Sequence, residues 1–233
     1  LTKKILLKLV SRMFNYIYNS SLITKIIPTL PRLLEKSLID CETLLDLGCG
    51  PSSPIGKINH NAFTTGVDGF EPYIDEARSN ATHNVYYCGN VLDMEFDENS
   101  FDVVILIDVI EHLIEEDAIK ILVLASKWAK KKVIVNTPNG FVKQHALDGN
   151  PLQEHLSGWP NSKMKSMGFT TRGLAGLKFL RQEVDHDSMS GSMLNSIKLY
   201  PKSFWFLVAA FSQIFTYRAA QFSFSLFCVK EID

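Results

Sequence analysis

The sequence predicts an α/β fold, a doubly wound and mostly parallel sheet, on three observations. Apolar runs of strand length alternate along the chain with stretches of helical spacing, six such segments following one another by residue 140. One run, Phe101 to Ile107, is apolar almost throughout, as a strand buried on both faces requires. The run Leu44 to Leu47 stops at the glycine pair Gly48 and Gly50. A second run, Thr64 to Val67, ends at Asp68, 20 residues past Gly48. At 233 residues the chain is long enough for one such domain with some elaboration.

The first 34 residues carry Lys3, Lys4, Lys8, Arg12, Lys25 and Arg32 and no acidic residue, with Leu6, Leu9, Val10, Met13, Phe14 and Ile17 at helical spacing. This reads as a basic amphipathic helix. It either packs on the core and caps the site or lies on an anionic membrane surface. Lys8 and Arg12 interrupt the apolar stretch, so no cleaved signal peptide is expected. Pro28 and Pro31 break the pattern, and Arg32 to Ile39 predicts a short second helix. Residues 1–40 are thus a helical extension and 41–233 the main domain.

Lysine plus arginine number 24 against 25 acidic residues, so no global basic surface points to nucleic acid. Cys41, Cys49, Cys88 and Cys228 form no CxxC pair, which argues against structural zinc and against a disulfide framework; no metal is expected, and the setting is read as reducing and cytoplasmic. No apolar run reaches the length of a membrane span.

Around residues 43–68 the chemistry becomes specific. Glycines let a backbone approach a ligand that side chains would exclude. A carboxylate at the end of the next strand can accept from both hydroxyls of a ribose. A dinucleotide loop would need a third glycine where Ser53 stands, and Pro51 removes an amide that a pyrophosphate would use. Asp46, two residues before Gly48, repels phosphate and suits an ammonium group. Ser53 is placed to cap a helix that Pro54 starts. The ligand expected is a nucleoside without phosphates.

With these residues the chain resembles the class I S-adenosylmethionine-dependent methyltransferases, whose first motif reads much like LLDLGCG (44–50) and whose second reads like GVDGFEP (66–72). The resemblance implies S-adenosylmethionine as cofactor and S-adenosylhomocysteine as product. It implies the methionine portion at Asp46, Gly48, Cys49 and Gly50, the ribose at Asp68 and Gly69, and the cofactor's reacting end at Asp108 and Val109.

Glu71 to Asn80 has Pro72 early and Tyr73, Ile74 and Ala77 at helical spacing. Asn84 to Cys88 reads as a strand ending at Gly89 and Asn90. By the resemblance, Asn90 and Val91 hold the adenine, where the usual residue is aspartate; the Asn90 amide oxygen accepts the same hydrogen bond. Read alone, Gly-Asn is a turn. After the central strand, Asp108-Val109-Ile110-Glu111-His112-Leu113 resembles the signature following the fourth strand in small-molecule methyltransferases. His112 is either a general base or a histidine satisfied by neighbouring backbone. Glu115 to Lys130 is helical by spacing, closed by Lys127 and Lys130 to Lys132 where cations suit a helix C-terminus. Val133 to Val135 is the fifth strand, and Asn136 to Gly140 is a loop at the ligand edge.

Gln144 to Trp159 is dense in polar and aromatic groups: His145, Asp148, Gln153, Glu154, His155, Ser157 and Trp159. It resembles a pattern of family members that act on lipid-linked, glycan or other small acceptors. His155 is the second candidate base, since imidazole titrates near neutrality; the alternative is a helix start packed against Trp159. That helix would end at Gly168. Thr170 to Arg172 reads as the sixth strand. Lys198 to Tyr217 is an apolar helix, either buried, covered in a homodimer, or exposed to lipid or a partner. Gln221 to Val229 alternates as a strand and, as in the family, is taken as the antiparallel seventh.

The expected function is methyl transfer from S-adenosylmethionine to a small-molecule, glycan or lipid-like acceptor, at a membrane periphery if the flanks bind lipid. The acceptor pocket is expected to combine His155 with Trp159. The alternative is a non-catalytic S-adenosylmethionine-binding or scaffolding module. An oxidoreductase on the same sheet is disfavoured by the missing glycine and Asp46. Nucleic-acid amino-methylation is disfavoured because Asp108-Val109-Ile110-Glu111 lacks a [DNS]PP[YFW] motif.

Overall fold

The computed structural model describes residues 27–146, 149–182 and 196–232. The basic helix expected before residue 27 lies outside them, as does Asp148. The chain divides into two compact units, Leu30–Thr171 with the residues from Leu226 on, and Arg172–Ser225 with 27–29.

In the larger unit, α1 (Leu30–Ser37) begins earlier than the proline pattern suggests. Pro31 falls in its first turn, where a missing N–H costs nothing. Then follow β1 (Thr43–Leu47), β2 (Phe63–Asp68), α2 (Glu71–Ser79), β3 (Val85–Cys88), β4 (Phe101–Ile107), α3 (Glu115–Trp128), β5 (Ala129–Pro138) and α4 (Asn161–Ser166). β6 (Thr170–Leu177), α5 (Lys202–Thr216) and β7 (Ser223–Glu231) complete the chain. The seven strands order as β3-β2-β1-β4-β5-β7-β6. β1 pairs in parallel with both β2 and β4, and β4 with β5. At the far side the Ile232 N–H donates to the Lys131 carbonyl at 2.8 Å and Thr170 Oγ1 to the Val229 carbonyl at 3.0 Å. The end of β7 therefore lies beside the starts of β5 and β6, so β7 runs antiparallel to both. This is the expected Rossmann-like sheet.

The core follows from the two-sided burial of the central strands. Leu44, Leu45 and Leu47 of β1, Val103 to Leu106 of β4 and Val133 to Val135 of β5 are all fully buried, and α3 lays Ala118, Ile121, Leu122, Ala125 and Trp128 on them. The strand order reverses between β1 and β4, which places a crevice outside their carboxyl ends.

One expectation about the basic cluster is corrected. α3 stops at Trp128, and Lys130 to Lys132 belong to β5. Extended backbone sends Lys131 Nζ to the Asp40 carbonyl at 2.5 Å and to Asp102 at 3.3 Å, so only Lys127 serves the helix end.

In the smaller unit, Leu180, Ile197, Phe206 and Ala209 form a buried cluster. α5 starts four residues later than its apolar pattern, because Pro201 takes the position before its first turn. Its outer side stays open: Phe204, Leu207, Phe211, Ile214 and Phe215 are exposed. No helix among the described residues is long and apolar enough to cross a membrane.

Candidate functional site

The β1 loop is built by backbone conformation. Gly48 and Gly50 take φ of +70° and +56°, the left-handed region glycine enters without strain. The Gly48 and Cys49 N–H groups both donate to the Val67 carbonyl, at 2.8 and 2.9 Å, which ties the loop to β2. Val109 packs over Gly48 so tightly that a Cβ there would stand 2.5 Å from its Cγ2. At Gly50 a Cβ would meet nothing within 4 Å, so open space adjoins the loop.

Asp46 lies beneath this loop, 1% exposed. Its Oδ2 accepts from Ser53 Oγ at 2.6 Å and stands 3.2 Å from His83 Nε2, a spacing of an ion pair without hydrogen-bond alignment. Ser53 Oγ in turn accepts the Ile55 N–H at 3.2 Å and caps Pro54–Lys57, which is a single 3-10 turn where a helix was expected. Ser53→Ala removes the cap and the donor to a buried carboxylate together. The expected loss is about 1–3 kcal/mol in urea denaturation; an unchanged midpoint would mean that Ser53 contributes nothing to holding Asp46.

Asp68 ends β2, 8% exposed, with Oδ2 accepting the Gly50 N–H and Oδ1 the Phe70 N–H, each at 2.9 Å. Burial pushes its carboxyl above the usual range, opposed by those two amides. One carboxylate thus joins the two motif loops, and each oxygen keeps a further lone pair at a fixed position. Gly69 follows, and a Cβ on it would come 3.0 Å from Leu152 Cδ1. Asn90 caps the short turn Val91–Asp93, its Oδ1 accepting the Leu92 N–H at 3.1 Å, and Val91 is buried. The amide oxygen retains one lone pair beyond that bond.

The ends of β4 and β5 are clamped. Asp108 takes φ +54°, a conformation few side chains adopt. Its N–H donates to the Asn136 carbonyl at 2.9 Å, and its Oδ1 accepts from Asn136 Nδ2 at 2.7 Å. Asp108 keeps exposed surface at the carboxyl end of β4, with much protein around its carboxyl. That surrounding protein pushes its carboxyl up to about 6, against the Asn136 amide. Glu111 is 2% exposed and accepts from Thr137 Oγ1 at 2.9 Å. Burial, then the Asp108 charge, raises its carboxyl well above the carboxylate range.

The segment before α4 docks on this loop. The Leu156 and Ser157 N–H groups donate to the Glu111 carbonyl at 2.8 and 3.1 Å, and Trp159 Nε1 donates to the Ile110 carbonyl at 3.2 Å and to Ser157 Oγ at 2.9 Å. Trp159 is fully buried, so it anchors the segment instead of lining a pocket as expected. No helix runs from Glu154 to Trp159. His155 packs on His112, ring centroids 4.7 Å apart. Burial, with the neighbouring His155 charge, pulls His112 down to about 4, and burial lowers His155 too. Both imidazoles are neutral at neutral pH.

The sequence singles out His112 and His155 as candidate bases, and it places Glu111, Asn136 and Thr137 in segments at the ligand edge without a role of their own. An acidic residue inside the apolar run Val109 to Leu113 was the available signal for Glu111.

Residues 45–135 match the family described as a methyltransferase domain. The chain is 30% identical over 122 residues to a ubiquinone biosynthesis O-methyltransferase of Rickettsia bellii, a match covering 50% of each protein, so it spans about half the length of that relative. Among solved structures, the PH0226 protein of Pyrococcus horikoshii OT3 aligns with TM-score 0.52 and 18% identity, over 92% of this chain and 93% of that one. The [4+2]-cyclase SpnF aligns with TM-score 0.53 and 14% identity, over 87% of this chain and 79% of that one. Likeness at that identity concerns the fold, and it extends to a cyclase, so fold alone leaves the reaction open. The matched stretch, residues 45–135, holds the glycine loop under Asp68 and the strands on which it rests, so the likeness to a methyltransferase domain falls on the part of the chain that builds the site.

Proposed function

We propose that the chain binds S-adenosylmethionine at the carboxyl ends of β1 to β4 and methylates a small-molecule or lipid-like acceptor, with oxygen favoured as the acceptor atom. The observation that carries this reading is Asp68. It stands at the end of β2, pinned by the Gly50 and Phe70 amides beside a loop that adjoins open space, and each oxygen keeps a lone pair that a ligand's hydroxyl could use. The choice of oxygen rests on the O-methyltransferase relative.

In this reading Gly48, Cys49 and Gly50 present backbone to the methionine portion, and Asp46 holds their loop through Ser53. Asp68 and Gly69 receive the ribose. Asn90 uses its second lone pair on the adenine amine and Val91 its N–H on the ring. Asp108 and Val109 border the reacting end. S-adenosylmethionine, when bound, supplies an already activated methyl group and leaves as S-adenosylhomocysteine. The protein contributes alignment of the acceptor with that methyl. His112 and His155 face the acceptor side, though an imidazole titrating near 4 is a weak base for the purpose. Leu152, close over Gly69, makes the segment before α4 a cover for the adenosine end.

Calorimetry with S-adenosylmethionine, S-adenosylhomocysteine and NAD tests the reading. Both adenosyl ligands should bind and NAD should not. Asp68→Ala should weaken S-adenosylhomocysteine by about 1–3 kcal/mol, roughly 5- to 150-fold. Tight NAD binding without response to the adenosyl ligands would sink the proposal, and unchanged affinity in a folded Asp68→Ala protein would remove the ribose role.

A further inference from the structure

Glu111 and His112 follow β4, and His155 arrives from a segment more than 40 residues later, yet one ligand atom from each lies within 4.8 Å of the other two. Each is held in place by a second contact. The Glu111 carboxyl accepts from Thr137 Oγ1, and its backbone carbonyl receives the Leu156 and Ser157 amides. His112 Nδ1 meets the Glu154 carbonyl at 3.2 Å, and His155 Nδ1 meets the Val142 carbonyl at 2.6 Å. A carbonyl only accepts, so each Nδ1 carries the proton and each Nε2 keeps a lone pair. Orienting a ligating imidazole through a carbonyl on its other nitrogen is the arrangement that metal sites use.

Three electron-pair donors brought together this closely repel one another unless something positive lies among them. A proton retained by Glu111 satisfies at most one imidazole and leaves the other facing it. A cation satisfies all three. The Asp108 carboxyl adds negative charge close enough to act on Glu111. Glu111 is buried and both histidines are half-buried, so the set has a protein-walled back and an accessible front.

We propose that Glu111, His112 and His155 form a site for one divalent transition-metal cation, a two-histidine, one-carboxylate set that leaves coordination positions for a ligand oxygen. Two imidazole nitrogens favour zinc, cobalt, nickel or iron over magnesium and calcium. The cation site stands on its own geometry, but its use rests on the methyl-transfer reading. There, an acceptor hydroxyl bound to the cation gives up its proton to water. The oxygen then bonds to the methyl carbon as the carbon–sulfur bond breaks, and sulfur keeps the electron pair.

Equilibrium dialysis of the chelator-stripped full chain against cobalt(II), followed by its visible absorption, tests the site. One cobalt per chain is expected, displaced by zinc. Outer-sphere changes already weaken metals about 10- to 100-fold, so losing a ligand in His112→Ala or His155→Ala should cost about a hundredfold or more. Glu111→Gln, which keeps an oxygen for Thr137, should also weaken binding. S-adenosylhomocysteine calorimetry on the same variants should show nearly unchanged affinity, which establishes that they fold. Cobalt well below one equivalent on the wild-type chain overturns the proposal, as does unchanged cobalt binding in the His112→Ala/His155→Ala double variant. Cobalt binding without any adenosyl affinity supports the cation site while overturning the methyl-transfer reading; adenosyl binding without cobalt overturns the cation site alone.

Discussion

Trp159→Ala is expected to destabilise the protein by about 3–5 kcal/mol, the cost of deleting a fully buried indole and leaving its cavity. The loss would not be confined to apolar area. Trp159 Nε1 binds the Ile110 carbonyl and Ser157 Oγ, and Lys163 Nζ stands 4.0 Å over the ring, so the residue fastens the segment before α4 to the loop after β4. His155 is carried on that segment. Trp159→Phe separates the contributions: it keeps most of the ring's burial and loses the two hydrogen bonds, with an expected cost of about 1–2 kcal/mol. Urea denaturation reads both. A loss below about 1 kcal/mol for Trp159→Ala would mean that this segment does not fold cooperatively with the sheet, contrary to its buried anchor.

Gly48→Ala is expected to cost about 2–5 kcal/mol and to abolish measurable adenosyl-ligand binding. Two effects add. A Cβ at φ +70° meets the left-handed penalty of about 1–2 kcal/mol. The same Cβ would lie 2.5 Å from Val109 Cγ2, and Val109 is itself buried, so overpacking contributes about 1–3 kcal/mol. Val109→Ala in the Gly48→Ala background should recover the overpacking part and leave the conformational part. If the double variant is no more stable than Gly48→Ala alone, the contact between the two loops is not what limits the position.

Much of the fold was legible in the sequence because the decisive signals were local. Phe101–Ile107 is apolar but for Asp102 since β4 lies in the middle of the sheet with both faces covered, and its boundaries coincide with the predicted run. Gly48, Gly50 and Asp68 could be placed because a strand that ends in a close-approach loop needs those residue types whatever surrounds it. The limits of α3 and β5 were less legible. Trp128 and Ala129 suit a helix by spacing, and it was pairing with β4 that drew Ala129 and the lysines after it into the sheet. Propensity along the chain does not contain that pairing.

The site divides in the same way. By itself the sequence determined the sheet, its carboxyl-edge loops, and the carboxylate poised at the end of β2, because each depends on residues close together in the chain. Only the tertiary structure decided that Asp46 is turned inward onto Ser53 and His83, that Trp159 is an anchor, and that Glu111 and His112 converge with His155. Those outcomes depend on contacts between segments tens of residues apart, and such contacts are set by how the sheet closes its core around them.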